Sequence, residues 1–325
     1  MSGRLLVVGE ALVEIMRPRP CIPLGVTGQF VGPFPSGAPA IAADAAARAG
    51  ADVALFAAVG DDPFGRLLLR RLSDDGVDTS GMRVVSNAVT GVAFVAYDEA
   101  GEREFVFHTA EAAPSRISPQ DLGSTPDEAA WLHVSGSSLA LSDRLAETVL
   151  VTVERVLSAG GRISFDPNLR VGSAGALRTP PGFDRLLEVA SLLLPSESEL
   201  DAIGTDAVSL SGSGALVCET LGREGARLYQ EDVATKIAGI EAKEVDPTGA
   251  GDAFSGTFLA VYMQSGDPVL AAHEANVAAA AHVKAQGPME SISPPSGSGQ
   301  RTTTPVSSRE ENRHTSQDAA EEADD

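Results

Sequence analysis

Residues 244–254 read Glu244-Val245-Asp246-Pro247-Thr248-Gly249-Ala250-Gly251-Asp252-Ala253-Phe254, and a helical pattern follows from Asp252 to about Ser265. Small residues before a helix expose consecutive backbone N–H groups at the positive end of the helix dipole. We therefore predict an anion hole formed by Gly249, Ala250 and Gly251, which would stabilise negative charge that develops in a reaction. Asp252, in the first helical turn, could take a proton from an attacking hydroxyl. The alternative is a glycine-rich loop whose aspartate only favours the helix start.

Short apolar stretches alternate with helical patterns through most of the remaining chain. The strand candidates are 5–8, 53–58, 131–134, 163–166, 192–194 and 215–220. The clearest helical patterns lie at 39–49, 64–75 and 143–158. Apolar strands that alternate with helices predict a mostly parallel sheet covered by helices on both faces. The expected architecture is therefore a three-layer α/β/α fold.

Residues 90–109 break this rhythm. Apolar residues alternate over 92–96, a turn follows at 98–101, and Phe105 and Phe107 continue the alternation. This pattern predicts a half-exposed β-hairpin. A hairpin that projects from a parallel α/β core is a candidate for a small lid, and an ordinary extension of the sheet edge is the alternative.

Composition and charge narrow the possible functions. The formal charge of −21 argues against nucleic acid as a partner, because phosphate backbones are bound by clustered Lys and Arg. We expect no membrane span, since no apolar run approaches the ~20 residues required, and no signal peptide. Two distant cysteines, Cys21 and Cys218, predict neither a disulfide framework nor a metal site, and a cytoplasmic protein is the simplest interpretation. Residues 294–325 are Ser/Thr/Pro/Gly-rich and then acidic, which predicts a disordered acidic tail.

Several motifs together resemble a known family. Residues 246–254 match D-x-T-G-A-G-D-x-F, the core signature of ribokinase-like (PfkB) carbohydrate kinases. Similar blocks occur in the family's order at 36–40, 59–65, 76–80, 165–170 and 220–225. The resemblance spans roughly residues 4–293. It implies a ribokinase-like kinase domain over 1–293, a small β-sheet lid from about 12–35 and 88–110, and a homodimer formed through that lid.

The resemblance also implies an activity, which is transfer of the γ-phosphoryl group of ATP to a primary hydroxyl of a sugar. Asp252 would be the catalytic base and residues 249–251 the anion hole. The residues implied at the sugar are Glu14, Gly37, Ala38, Asn168 and Arg170. Those implied at the nucleotide and its Mg²⁺ are Glu199, Thr220, Gly222, Gly225 and Asn276. Asp246 and Thr248 resemble positions near a monovalent-cation site, so K⁺ is a further implied cofactor.

Three features depart from the family pattern. Ser196 begins the N-x-x-E motif that ends at Glu199, Ile41 stands where ribokinases and many fructokinases have asparagine, and the segment 199–220 is shorter than usual. The run 31–41 resembles a subgroup that includes tagatose kinases, while 287–290 also resembles 2-keto-3-deoxygluconate kinases. We therefore expect a neutral ketose, tagatose-like before fructose, with 2-keto-3-deoxygluconate as the runner-up. Ser196 and the shortened segment motivate an alternative of another class, a sugar- or nucleotide-binding protein with impaired catalysis.

Overall fold

Strands and helices alternate in the computed structural model, which describes residues 3–99, 101, 103–169, 179–231 and 233–290. The strands are β1 (Arg4–Val8), β2 (Leu12–Met16), β3 (Val31–Ser36), β4 (Val53–Phe56), β5 (Ala58–Gly60), β6 (Arg83–Val85), β7 (Gly91–Tyr97), β8 (Arg103–His108), β9 (Ala129–Ser135), β10 (Arg162–Asp166), β11 (Leu192–Leu193), β12 (Leu216–Thr220), β13 (Gly225–Gln230) and β14 (Val233–Ala238). The α-helices are α1 (Ala38–Arg48), α2 (Pro63–Asp74), α3 (Gly136–Leu141), α4 (Asp143–Ser158), α5 (Phe183–Val189), α6 (Glu197–Ile203), α7 (Ala207–Ser211), α8 (Ala250–Ser265) and α9 (Pro268–His282). Short 3₁₀ turns lie at Ala113–Arg116, Pro119–Leu122, Thr125–Glu128 and Gly222–Glu224.

The large sheet has eight strands in the order β14-β13-β12-β11-β10-β9-β1-β4. The six strands β12, β11, β10, β9, β1 and β4 are parallel to one another. β13 pairs antiparallel with β12, and β14 pairs antiparallel with β13. The predicted mostly parallel sheet is therefore confirmed. Because parallel strands place their carboxyl ends at one edge, the residues that follow β1, β9, β10 and β12 come together there.

Helices cover both faces of this sheet, as the apolar strands predicted. Leu5 and Val7 of β1 point into a core shared with α1 and α8, while Leu6 and Val8 point into a second core shared with α4. All four side chains are at most 1% exposed. Burial on both faces explains why the strand is apolar throughout instead of alternating with polar residues.

The small sheet has four strands in the order β3-β2-β7-β8, drawn from residues 12–36 and 91–108. β7 and β8 form the predicted hairpin, with Ala93 opposite Phe107 and Val95 opposite Phe105. Since cross-strand partners share a face, Phe105 and Phe107 lie on the opposite face from Phe94. Apolar alternation predicted the hairpin, but only the register assigns each residue to a face.

Two predictions fall outside the described residues, namely the role of Arg170 and the tail at 294–325. The described residues belong to one compact unit by their contacts. Among the described helices, none combines the length and the apolar character that crossing a membrane requires.

Candidate active site

A cleft of about 650 Å³ lies between the carboxyl edge of the large sheet and the small sheet. Its walls come from the segments after β1, β9, β10 and β12, from the start of α8 and from β8. Ligands of open parallel α/β sheets bind at this edge, because there the loops diverge and leave a crevice. The predicted site residues on its wall are Glu14, Gly37, Ala38, Asn168, Glu199, Thr220, Thr248, Gly249, Gly251 and Asp252.

Asp252 lies in the first turn of α8, and Asn168 is a polar neighbour of its carboxylate. The Asn168 side-chain amide donates to Asp252 Oδ1 over 3.0 Å. Asn168 itself has a left-handed backbone, with φ of 38°, and its N–H donates to Asp166 Oδ1 over 3.0 Å. The Asp166-Pro167-Asn168 turn after β10 therefore orients the carboxylate of Asp252 within the cleft.

The helix of Asp252 begins two residues earlier than the sequence indicated, at Ala250. Gly249 caps it with φ of 82°, a conformation that side chains rarely tolerate, and a Cβ there would lie 2.9 Å from Ile41 Cδ1. The Ala250 N–H donates to the Pro247 carbonyl over 3.2 Å, and Ala250 is not on the cleft wall. Gly251 faces the cleft with open space around it. Of the three residues predicted to form the anion hole, Ala250 therefore has its N–H bonded to Pro247, while Gly249 and Gly251 border the cleft.

Glu14 and Gly37 also lie on the cleft wall. The Ser36 hydroxyl donates to Glu14 Oε1 over 2.8 Å, and Glu14 is 6% exposed. Gly37 has φ of 108°, and a Cβ there would lie 2.6 Å from the Glu10 carbonyl oxygen. Only glycine fits this close approach of β1 and α1, which brings the start of α1 to the cleft.

Glu10 is a residue on this wall that the sequence did not single out. Its carboxylate is 4% exposed and accepts hydrogen bonds from the Ser137 and Ser138 hydroxyls, over 2.7 and 2.6 Å. These serines begin α3, which follows the neighbouring strand β9. The proximity of Gly9 and Glu10 to the end of β1 was the one local signal that could have identified it.

Three carboxylates gather where β10 and β11 end. Burial, followed by the charges of Glu199 and Asp252, raises the pKa of Asp166 well above its usual range. Glu199 accepts from the Leu169 N–H over 2.7 Å and from the Ser196 N–H and hydroxyl over 2.7 and 2.8 Å. No group of three or more His, Cys, Asp or Glu side chains is placed to hold a metal directly in the described part of the chain.

The nucleotide residues implied by the family are divided in space. Glu199 and Thr220 line the cleft, whereas Gly222, Gly225 and Asn276 do not. The Asn276 amide donates to the Ala238 carbonyl over 3.1 Å, so this side chain joins α9 to the end of β14. The short segment between Glu199 and Thr220 folds as α6 and α7, two helices of seven and five residues.

Asp246 and Thr248 lie at the start of the loop that leads to α8, and both are contacted by Tyr97 of β7. The Tyr97 hydroxyl donates to Asp246 Oδ1 over 2.6 Å and also contacts Thr248 Oγ1. Burial and the charge of Asp246 raise the pKa of Tyr97, so the hydroxyl keeps its proton at neutral pH. His282 Nε2 lies 2.7 Å from the Thr248 carbonyl oxygen. No sequence pattern indicated either contact.

β8 closes the cleft with Arg103, Phe105 and Phe107. The Arg103 guanidinium lies over the Phe105 ring, 5.5 Å from its centroid. His108 instead contacts Phe94 edge-on, with ring centroids 6.0 Å apart, on the face that points away from the cleft. Arg103 is the only cationic side chain on the described wall, which also carries five carboxylates.

Comparison with known proteins identifies the family of this chain. Residues 4–294 match the profile of the pfkB family of carbohydrate kinases. A fructokinase of Klebsiella pneumoniae is 34% identical over 283 residues, which cover 82% of this chain and 87% of the relative. A provisionally named ribokinase II of E. coli, in complex with ATP and Mg²⁺, is 34% identical, with a TM-score of 0.80 and coverage of 90% and 96%. A double mutant of Vibrio cholerae fructokinase, with fructose, ADP and potassium bound, is 29% identical, with a TM-score of 0.76 and coverage of 89% and 95%.

Proposed function

This chain belongs to the pfkB family of carbohydrate kinases, and on this premise we propose that it transfers the γ-phosphoryl group of ATP to a primary hydroxyl of fructose. The observation that supports the proposal best is Asp252 at the start of α8, oriented by Asn168 and adjacent to the amides of the Gly249–Gly251 turn. A base and an anion hole at one helix start are the two groups that phosphoryl transfer to a hydroxyl requires.

In the proposed reaction the sugar lies between Glu14 and Asp252, which both line the cleft. Glu14 and Glu10 would accept hydrogen bonds from sugar hydroxyls. Asp252 would take the proton of the attacking hydroxyl as its oxygen forms a bond to the γ-phosphorus. The N–H groups of the first turn of α8 would stabilise the negative charge on the phosphoryl oxygens during transfer.

We propose that Mg²⁺ enters with the nucleotide. The raised pKa of Asp166, caused by burial and by the charges of Glu199 and Asp252, indicates excess negative charge that a divalent cation would neutralise. Protein donors already reach both oxygens of Glu199, so Glu199 and Asp166 would hold the ion through its water shell. When bound, Mg²⁺ would neutralise phosphate charge.

Fructose is proposed ahead of tagatose, which reverses the order that the run 31–41 indicated, because the curated relative described above is a fructokinase. A 2-keto-3-deoxy sugar acid remains a second candidate because of Arg103. A carboxylate substrate needs a cation in a cleft this acidic, since burying an unpaired charge is costly. Arg103 is placed to supply that cation.

A sugar panel tests the proposal. The purified protein is supplied with MgATP and fructose, tagatose, ribose or 2-keto-3-deoxygluconate, and ADP release is measured. We expect the highest kcat/KM for fructose. Arg103→Met and Arg170→Met should each reduce activity toward the keto acid more than toward fructose. The control is Arg144→Met, on the exposed start of α4, which should change neither activity. Preference for the keto acid would favour the second candidate, and no ADP release with any sugar would favour a binding protein with impaired catalysis.

We also propose a homodimer formed through the outer face of the small sheet. Phe30 and Val106 on this face are 39% and 42% exposed, and Phe94 packs edge-on against Phe30 with ring centroids 5.7 Å apart. Sedimentation of the wild-type protein and of Val106→Asp tests this proposal. The wild-type protein should sediment as a dimer that the substitution weakens, and a monomeric wild-type protein would contradict it.

A further inference from the structure

The loop that carries the anion hole begins at two residues that the family resemblance places near a monovalent cation. Such a cation binds oxygen atoms, whether of carboxylates, carbonyls or hydroxyls. Asp246 and Thr248 offer four candidates, which are the two carboxylate oxygens of Asp246, the carbonyl oxygen of Thr248 and its hydroxyl. The V. cholerae fructokinase described above was solved with potassium bound. Whether this chain can bind potassium at the same place depends on which groups already contact these four oxygens.

Both carboxylate oxygens of Asp246 accept hydrogen bonds from protein donors. Oδ1 accepts from the Tyr97 hydroxyl over 2.6 Å and from the Thr248 N–H over 3.0 Å. Oδ2 accepts from the Gly287 N–H over 2.9 Å. Asp246 is only 3% exposed. The hydrogens of these donors carry partial positive charge and point at the oxygens that a cation would need.

The two oxygens of Thr248 are engaged as well. Its carbonyl oxygen accepts from His282 Nε2 over 2.7 Å; a carbonyl oxygen cannot donate, so Nε2 carries the hydrogen. His282 is 1% exposed. The hydroxyl of Thr248 contacts the Tyr97 hydroxyl, whose single proton goes to Asp246, so Thr248 is the donor in that contact. A cation would therefore meet the hydrogens of Tyr97, His282 and two amides at its ligands.

We propose that this kinase works without a monovalent cation, and that Tyr97 and His282 are positioning residues that take over the task of ordering the loop of residues 246–251. The Tyr97 hydroxyl supplies positive charge to the Asp246 carboxylate, and the His282 N–H supplies it to the Thr248 carbonyl. This inference rests on the proposed kinase function. It departs from the K⁺ cofactor that the sequence resemblance implied, because protein donors already supply positive charge to both carboxylate oxygens of Asp246 and to the Thr248 carbonyl oxygen.

The position of Tyr97 adds a consequence. Tyr97 belongs to the small sheet, whereas Asp246 and Thr248 lead into α8. The hydrogen bond between Tyr97 and Asp246 therefore connects the small sheet to the loop that leads to α8. A soluble ion cannot make this connection, since it binds regardless of the position of β7.

The first test measures activity with different monovalent cations. The full-length protein is assayed with fructose and MgATP, prepared as a tetramethylammonium salt, in buffers that contain 100 mM K⁺, Na⁺ or tetramethylammonium. ADP is quantified directly by chromatography, without coupling enzymes that could respond to the cation themselves. We expect kcat values that agree within about twofold across the three buffers. Activation by K⁺ of tenfold or more would overturn the proposal.

Variants then expose the oxygens. Tyr97→Phe removes the donor to Asp246, and the pair Tyr97→Phe with His282→Ala also exposes the Thr248 carbonyl. In tetramethylammonium these variants should lose about tenfold or more in kcat, and K⁺ should restore much of the loss. Tyr262→Phe removes a hydroxyl that does not line the cleft and should show neither effect. Variants that keep full activity without K⁺, or a loss that K⁺ does not reverse, would overturn the proposed role of Tyr97.

Thermal melting supplies a readout that needs no substrate. K⁺ should leave the Tm of the wild-type protein unchanged relative to tetramethylammonium, and it should raise the Tm of the double variant by about 2 °C or more, because a ligand that binds only the folded state stabilises it. A protein that phosphorylates no sugar yet shows these Tm results would refute the proposed function and support the cation inference. Stabilisation of the wild-type protein by K⁺ but not by Na⁺ would refute the cation inference whatever the activity.

Discussion

At the scale of a single residue, substitution of Asp252 tests its proposed role as the catalytic base. Asp252→Asn keeps the shape of the side chain but cannot accept a proton, so turnover should fall by about 10²–10⁴-fold. The loss should appear in kcat more than in KM, since the hydroxyl group is still bound in the ground state. Steady-state kinetics with fructose would measure both constants. A matched control is Asp61→Asn, an exposed aspartate at the start of α2, which should have near-normal kinetics; near-normal kcat in Asp252→Asn would show that Asp252 is not the base.

Asp44 of α1 is another residue whose ionisation is set by its surroundings. Its side chain is fully buried, lies 3.3 Å from the Arg48 guanidinium and shares a hydrogen bond with Asp75. Burial is the largest cause that raises the pKa of Asp44 to about 7. Between about pH 4 and pH 7 the native protein therefore holds a proton that the unfolded chain has lost. The free energy of unfolding should fall as pH rises through this window and should not change further above it on account of Asp44.

Asp44→Asn tests this pH dependence, because the amide resembles the protonated acid and cannot ionise. We expect the fall in Tm between pH 5 and pH 8 to be smaller in the variant than in the wild-type protein. Between pH 5 and pH 8 the difference in the free energy of unfolding has an upper limit of roughly 3 kcal/mol, because only the two pH units below the raised pKa of about 7 contribute. Asp75, whose lowered pKa places its own titration below this window, should not obscure the result. Equal slopes in both proteins would contradict the prediction.

At the scale of elements, α6 shows how a departure from the family pattern is accommodated. Ser196 precedes the helix, and its N–H and hydroxyl both donate to Glu199 Oε2. Ser196→Ala removes the hydroxyl and should lower the free energy of unfolding by about 1 kcal/mol, measured by urea denaturation. Ser73→Ala, on the exposed side of α2, should change it by a few tenths at most. An unchanged stability of Ser196→Ala would show that this serine contributes little to capping α6.

The elements also show what local sequence can predict. The helical pattern at 143–158 predicted α4 over the same residues that the structure shows, with Leu145, Val149 and Val153 on its buried face. Elements alone could not predict which distant side chains meet. Glu10 accepts hydrogen bonds from Ser137 and Ser138, which lie 127 and 128 positions later in the sequence. Tyr97 contacts Asp246, which lies 149 positions later. These contacts depend on the order of strands in two sheets, and neither apolar periodicity nor spacing records that order.

At the scale of the whole molecule, two cores support one edge of the large sheet. Leu5 and Val7 pack toward α1 and α8, and Leu6 and Val8 pack toward α4. Each core therefore supports β1, the strand that leads directly to Glu10 on the cleft wall. Precise placement of catalytic groups depends on such rigid support. This arrangement explains why the site draws on segments from residue 10 to residue 255 and is still a single cleft.

The last prediction concerns residues 296–325, which lie beyond the family match at 4–294 and outside the described residues. This segment contains three arginines and seven carboxylates, a net −4 of the formal −21, and Val306 is its only large aliphatic residue. It can therefore bury little apolar area. Deletion of 296–325 should leave Tm within about 2 °C and kcat/KM within about twofold of the full-length values. Deletion of 287–325 is the matched contrast, because it also removes the Gly287 N–H bond to Asp246 and the fully buried Met289, and it should destabilise the fold strongly. If the shorter deletion lowered Tm as much as the longer one, the tail would have to pack on the kinase domain.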